Sequence, residues 1–208
     1  QGYKLHTSGV DSRLVVLALR CALRDDQLQD DAALCIDLEW DSHDPGNLLS
    51  LVQLAWRSQV HIFDTVSCPL TILTGLSELL ATHDFVQVLH DVRQDARTLS
   101  QVGIKLGRPF DTQVAHGLLT QHGMECGLAA VLKHWLDVSL PSKATIKHKY
   151  RTTPHLWAVR PLSLELLNYA ADDVRHLPQL FLDGHFVGDY EQCQMMEDCG
   201  ELLQPPAA

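Results

Sequence analysis

The sequence predicts an α/β fold in which a mixed sheet carries helices on both faces. Three observations predict it. The runs "AALCIDLEW", "NLLSLVQLAWR" and "QVHIFDTV" follow one another across short gaps, as the strands of an antiparallel meander do. Downstream of them, helical and strand-like segments alternate, which adds parallel strands to the meander. The chain has 208 residues, 46% hydrophobic and 20% charged, enough for one sizeable domain with its own core.

Each element has a local reason. "YKLHTS" reads as a short edge strand, and Asp11 or Ser12 can cap a helix over residues 13–24. "AALCIDLEW" is an apolar run ending in acids, a central strand. "PGN" at 45–47 makes the turn to the second strand, and "QVHIFDTV" has the period-two character of a third. Pro69 can open a helix over 69–83. "FVQVLH" at 85–90 reads as a strand, followed by a helix over 93–102 that Gly103 stops. "RPFDTQ" is a short strand, and helices follow over 112–119, 128–136 and 163–181. No internal repeat or low-complexity linker interrupts this order.

Bulk properties narrow the function. The longest early apolar run, Leu14 to Leu19, is too short for a membrane span or a secretory signal core. The first residue is Gln, so the chain is expected to be a piece of a longer protein with flanking domains. Cys21, Cys35, Cys68, Cys126, Cys193 and Cys199 form no CxxC pair. Zinc ligand spacing is therefore missing, and most of the cysteines read as small core residues in a reducing, intracellular compartment, cytoplasmic or nuclear. The formal net charge of −10 argues against strong non-specific nucleic-acid binding, but not against an enzyme that grips one end of a strand.

The chemistry is carried by acids. Asp37 and Glu39 alternate with Leu38 and so share one face of the first long strand. In "HDVRQDARTL", Asp95 lies four residues before Leu99 on the same helix face, whereas Asp91 stands at the strand-to-helix junction, where an Asp is often just an N-cap. In "LLNYAADDVRHL", Tyr169 and Asp173 share a helix face. On that stretch alone, the acids are equally well read as a wet helix side. Four carboxylates drawn from separate elements repel one another unless a divalent metal sits among them. Hard oxygen ligands suit Mg²⁺ or Mn²⁺, and two such ions about 4 Å apart can hold the attacking and leaving oxygens of a phosphodiester.

Acid-x-acid on a strand ("DLE"), an Asp on a helix ("HDVRQDARTL") and Tyr-x-x-x-Asp on a late helix ("YAADD") together resemble the DEDDy 3′–5′ exonucleases, the ribonuclease D-like group. The flanks "FDTQVAH" and "LWAVRPLSLELLNYAADDV" extend the resemblance over about residues 3–186. Within the group, the chain looks most like the exonuclease-domain proteins related to Egalitarian and to the germline piRNA-pathway protein. Some of those have lost catalytic acids and act as RNA-binding or dimerising adaptors; here every acid position and the tyrosine are filled. The resemblance implies a ribonuclease H-like mixed sheet, one exonuclease domain over residues 1–200, and a frayed tail over 201–208. It selects Asp173 over Asp172. It implies that Asp37 bridges two metals, that Glu39 and Asp173 hold the metal that activates water, that Asp95 holds the second, and that Tyr169 orients the water. Nucleoside 5′-monophosphates would leave.

The substrate's path is read from charge. Between residues 143 and 160 there is no acid, while Lys143, Lys147, Lys149, Arg151 and Arg160 are basic. This strip is read as a local phosphate-binding surface for single-stranded nucleic acid, with RNA favoured over DNA. His90, beside the second motif, joins the candidate nucleic-acid contacts. Trp135 and Trp157 are read as core. No membrane partner is expected, and a homodimer is compatible with the reading.

Overall fold

The alternation of apolar residues read from the sequence becomes one sheet. The computed structural model of the chain describes residues 2–182, apart from 28–32, 42, 44, 45, 47, 68, 121–125 and 141, together with Phe186. Among them the strands are β1 (Lys4–His6), β2 (Ala33–Asp41), β3 (Leu48–Trp56), β4 (Gln59–Asp64), β5 (Val86–Leu89) and β6 (Pro109–Asp111), in the order β1-β4-β3-β2-β5-β6. The meander is there: β2, β3 and β4 pair antiparallel. β1 joins β4 in parallel at one edge, and β5 and β6 extend the sheet in parallel from β2. Two residues of the "PGN" turn, Pro45 and Asn47, and the tail over 201–208 lie outside the described residues.

Period-two alternation divides the core between the two faces. Leu34, Ile36, Leu38, Val52 and Leu54 pack against α1 (Gly9–Gln27), α2 (Pro69–Leu80) and α3 (Val92–Gln101). Cys35, Leu51 and Ala55 face the other layer, built by α4 (Thr112–Thr120), α5 (Leu128–Leu136), α6 (Ser142–Thr152), α7 (Leu164–Arg175) and α8 (Leu177–Leu182).

Four readings are corrected. The first helix runs from Gly9 to Gln27, so Asp11 lies inside its first turn and Ser12 donates back to the Ser8 carbonyl instead of capping. α2 ends at Leu80, because the Leu80 carbonyl is taken by the Gly107 N–H and the Gln87 amide. The helix over 163–181 is two helices. Pro178 has no N–H to offer the Val174 carbonyl, which accepts from His176 instead, and the chain turns there. α6 was not anticipated, since Ile146 is its one buried apolar side chain among those described and periodicity had little to register. Cys35 is buried as expected, but Cys21 is exposed.

Candidate active site

β2 sets the first two acids. Asp37 and Glu39 pass to the face covered by α7 while Leu38 enters the opposite core. The strand runs on to Asp41, so both acids lie within it. The β2–β3 register shifts just after Glu39, leaving Ser50 as the extra residue, and such bulges re-aim side chains at sites.

α3 sets the third. Its start is fixed from β6: Asp111 accepts the backbone N–H groups of Asp91 and Val92. Asp91 occupies the N-cap position in a left-handed conformation (φ 61°), makes no side-chain cap bond and pairs with Arg93. Asp95, one turn in, is buried. α7 sets the fourth. Its cap is Ser163, whose hydroxyl accepts from the Leu166 N–H. One turn on from Tyr169, buried Asp173 accepts the Tyr169 hydroxyl, while Asp172 turns aside to pair with Arg175 at 2.7 Å.

These elements line one cavity of about 590 Å³, walled by Asp37, Glu39, Asp95, Tyr169 and Asp173 with Trp40, Trp157 and Ile146. Oxygens of Asp37, Glu39 and Asp173 all lie within 4.8 Å of one another; Asp95 stands farther round the wall. Burial, then the Asp173 charge, pushes the Asp37 carboxyl up to about 8. Burial and Asp37 drive Glu39 and Asp95 well above the ordinary range. Burial also raises Asp173, against the pull of Lys143. The Tyr169 phenol is raised by burial and by Asp173, so it stays a neutral O–H.

The basic strip does not form one surface. α6 presents Lys143, Ile146 and Tyr150, spaced by three and four, to the cavity. Lys143 therefore turns inward. Its ammonium pairs with Asp173 and lies 5.4 Å from the Tyr169 ring centre. Burial works against its charge, but Asp173, Asp37 and Glu39 outweigh burial and raise its pKa. Arg160 is withdrawn altogether: it grips buried Asp64 through Nε and Nη2, each at 2.7 Å, and donates to the Ser50 and Trp157 carbonyls. Lys149 pairs with Glu165 at the surface. The side chains of Lys147 and Arg151 lie outside the described set. His90 lines the cavity, with Nδ1 3.0 Å from the Thr112 hydroxyl, and burial holds its pKa down to about 4. Trp157 is core as read, yet it also walls the cavity and tilts against Tyr169 with ring centres 6.1 Å apart. Trp135 is partly buried and donates to His116.

Sequence reasoning missed Trp40, Gln94 and Tyr150 on the cavity wall. Trp40, next to "DLE", and Gln94, inside "HDVRQDARTL", had a signal in their positions, and Asp91, set aside as an N-cap, lines the cavity too.

The sequence profile of the 3′–5′ exonucleases matches residues 23–183. The chain belongs to this 3′–5′ exonuclease family. Among the exonuclease relatives, ribonuclease D of Pseudomonas paraeruginosa is 34% identical over 131 residues, covering 61% of this chain and 32% of the relative. The piRNA biogenesis protein EXD1 of Xenopus laevis is 33% identical over 146 residues, covering 64% of this chain and 32% of that protein. The chain thus spans about a third of the length of these relatives. The crystal structure of Trypanosoma brucei RNase D superposes with a TM-score of 0.81 at 21% identity, over 97% of this chain and 71% of that one. Its complex with RNA U12 gives 0.77 at 22% identity, over 97% and 69%. The mixed sheet is the ribonuclease H-like fold of those structures.

Proposed function

We propose that this chain is a divalent-metal-dependent 3′–5′ exonuclease that acts on single-stranded nucleic acid, RNA ahead of DNA, and releases nucleoside 5′-monophosphates with two ions, Mg²⁺ or Mn²⁺. The observation that carries the reading is the gathering of the Asp37, Glu39 and Asp173 oxygens within 4.8 Å on the wall of an open cavity. Family membership and the ribonuclease D likenesses support the substrate class.

The donor set fits a hard divalent cation. It is all oxygen, closely held, and ionises only against burial and mutual repulsion, which a cation relieves. Asp37, Glu39 and Asp173 would hold one ion, and Asp37 with Asp95 the other. When bound, such ions lower the pKa of water and neutralise charge developing at the phosphodiester.

The remaining work falls to the chain itself. Tyr169, kept neutral and hydrogen-bonded to Asp173, orients the attacking water and does not serve as its base. Lys143 supplies a cation for the substrate phosphate once the carboxylates are neutralised. Trp40, Trp157 and Ile146 give the terminal nucleoside an apolar wall. His90 joins that wall, and Lys147, Lys149 and Arg151 on α6 are assigned to phosphates further along the strand. The Lys149–Glu165 pair is exposed, so exchanging it for a phosphate costs little.

The test is degradation of 5′-labelled single-stranded RNA and DNA with and without Mn²⁺. A metal-dependent ladder, blocked by a 3′-phosphate, is the expected result. Rapid cutting of a circular strand would mean an endonuclease; retention of RNA without degradation would mean an adaptor.

A further inference from the structure

Gln53 sits in the middle of β3 fully buried, and neither its Oε1 nor its Nε2 has a hydrogen-bond partner. Burying an unpaired amide costs free energy that a leucine there would not incur. The neighbours of Gln53 on its own face of the strand, Leu51 and Ala55, are apolar core residues.

The sheet register says what this carboxamide is placed beside. Gln53 is the direct partner of Asp37 across the antiparallel β2–β3 pair. Opposed residues of such a pair project to the same side of the sheet, with Cβ atoms about 5 Å apart. That side is the one α7 covers, the side of Asp173. Gln53 therefore lies one strand over from Asp37, on the sheet side of the carboxylate cluster.

Asp37 already accepts the Leu38 backbone N–H, which leaves it further acceptor positions. An ionised carboxylate has about four acceptor positions. A cation in the cavity uses those that face the cavity and leaves those that face the sheet. Groups behind a metal-binding side chain commonly fix its orientation by hydrogen bonding.

We propose that Gln53 is a positioning residue for the metal site: its amide bonds to nothing among the described residues, and when an ion fixes Asp37 its Nε2 would turn to donate to the sheet-side oxygen and hold that carboxylate toward the cavity. This rests on the reading of Asp37 as a metal ligand.

The test is Mn²⁺ affinity, followed by electron paramagnetic resonance of free Mn²⁺ and by calorimetry. It uses the purified chain at a temperature where circular dichroism shows every variant folded. Gln53→Met keeps the length of the side chain and Gln53→Leu its approximate volume, so one can stand in should the other not fold. Both are expected to melt without metal at least as high as the wild type and to bind Mn²⁺ roughly 10- to 100-fold more weakly. Wild-type Mn²⁺ affinity in the folded variants would overturn the proposal and leave Gln53 a space-filling residue. Asp37→Asn separates the two failures. If it leaves Mn²⁺ binding intact, the metal-site reading itself falls; if it abolishes binding while the Gln53 variants bind normally, only the role of Gln53 falls.

Discussion

Tyr169, Asp172 and Asp173 are adjacent in sequence but differ in partner, and the difference is measurable. Tyr169→Phe removes a hydroxyl and little volume, so α7 should still pack. Turnover should fall roughly 10- to 1,000-fold, as for the loss of one orienting contact, with Mn²⁺ binding kept. Asp173→Asn removes a proposed ligand and should lower both turnover and Mn²⁺ affinity. Asp172→Asn only releases Arg175 and should cost far less; the reverse order of damage would mean that the wrong acid has been assigned to the site. Lys143 acts as the counterion of the acid cluster. Lys143→Ala should lower the melting temperature in EDTA by several degrees, at about 2–4 °C per kcal/mol for a chain of this size. The rise on adding Mn²⁺ should grow, because the ion then meets uncompensated carboxylates. Melting curves with and without Mn²⁺ that match the wild type would remove Lys143 from this role.

Between α6 and α7 the chain is pinned at two points. His155, with φ 57°, bonds buried Asp41 at 2.6 Å, and Arg160 grips Asp64. Trp157 lies between them against Tyr169, so both pins support the cavity wall. Burial alone would push the Asp64 carboxyl up, but hydrogen bonds from Arg160 and Ser67 outweigh it and hold it below its ordinary value. Its contribution is therefore present above the unfolded carboxylate pKa of about 3.9 and is lost as pH falls through the lower folded value. Arg160→Ala leaves a buried carboxylate unpaired and should cost about 3–5 kcal/mol near neutrality. Arg160→Lys should recover only part of this, since an ammonium cannot reproduce the two-pronged contact. Urea melts should show the wild-type-minus-variant difference in full at neutral pH, shrinking as pH falls from the raised pKa of the unpaired Asp64 toward the lowered wild-type value, where protonated Asp64 no longer needs a guanidinium. A difference that stays flat across that range would contradict this account of the pin.

For the whole molecule, the clustered acids and the net charge of −10 predict that cation binding adds to stability. Mn²⁺ at about 100 times its dissociation constant should add roughly 2.7 kcal/mol. Calorimetry should register that as a rise of about 5–10 °C. Asp37→Asn with Glu39→Gln should abolish the rise and lift the metal-free melting temperature by relieving repulsion. A wild-type curve that saturating Mn²⁺ does not move would dismiss the four-acid site.

Sequence alone determined the meander, α5 to the residue, and the acids that share a cavity. The meander and α5 rest on local rules, since period-two and three-to-four-residue spacings fix which side chains share a face before any tertiary contact forms, while the choice of Asp173 over Asp172 came with the family resemblance. Tertiary structure decided the rest. α6 has too few apolar residues to announce itself, yet its packing turns Lys143 into the acid cluster, while a partner 96 residues away in sequence withdraws Arg160 from the same basic run. Basic residues close in the chain thus serve different ends, because the partner that holds a charge is set by distant neighbours and not by its own sequence context. Asp111 starting α3, and Gln53 standing opposite Asp37, are likewise consequences of strand register. A single chain read from end to end does not contain register; pairing creates it.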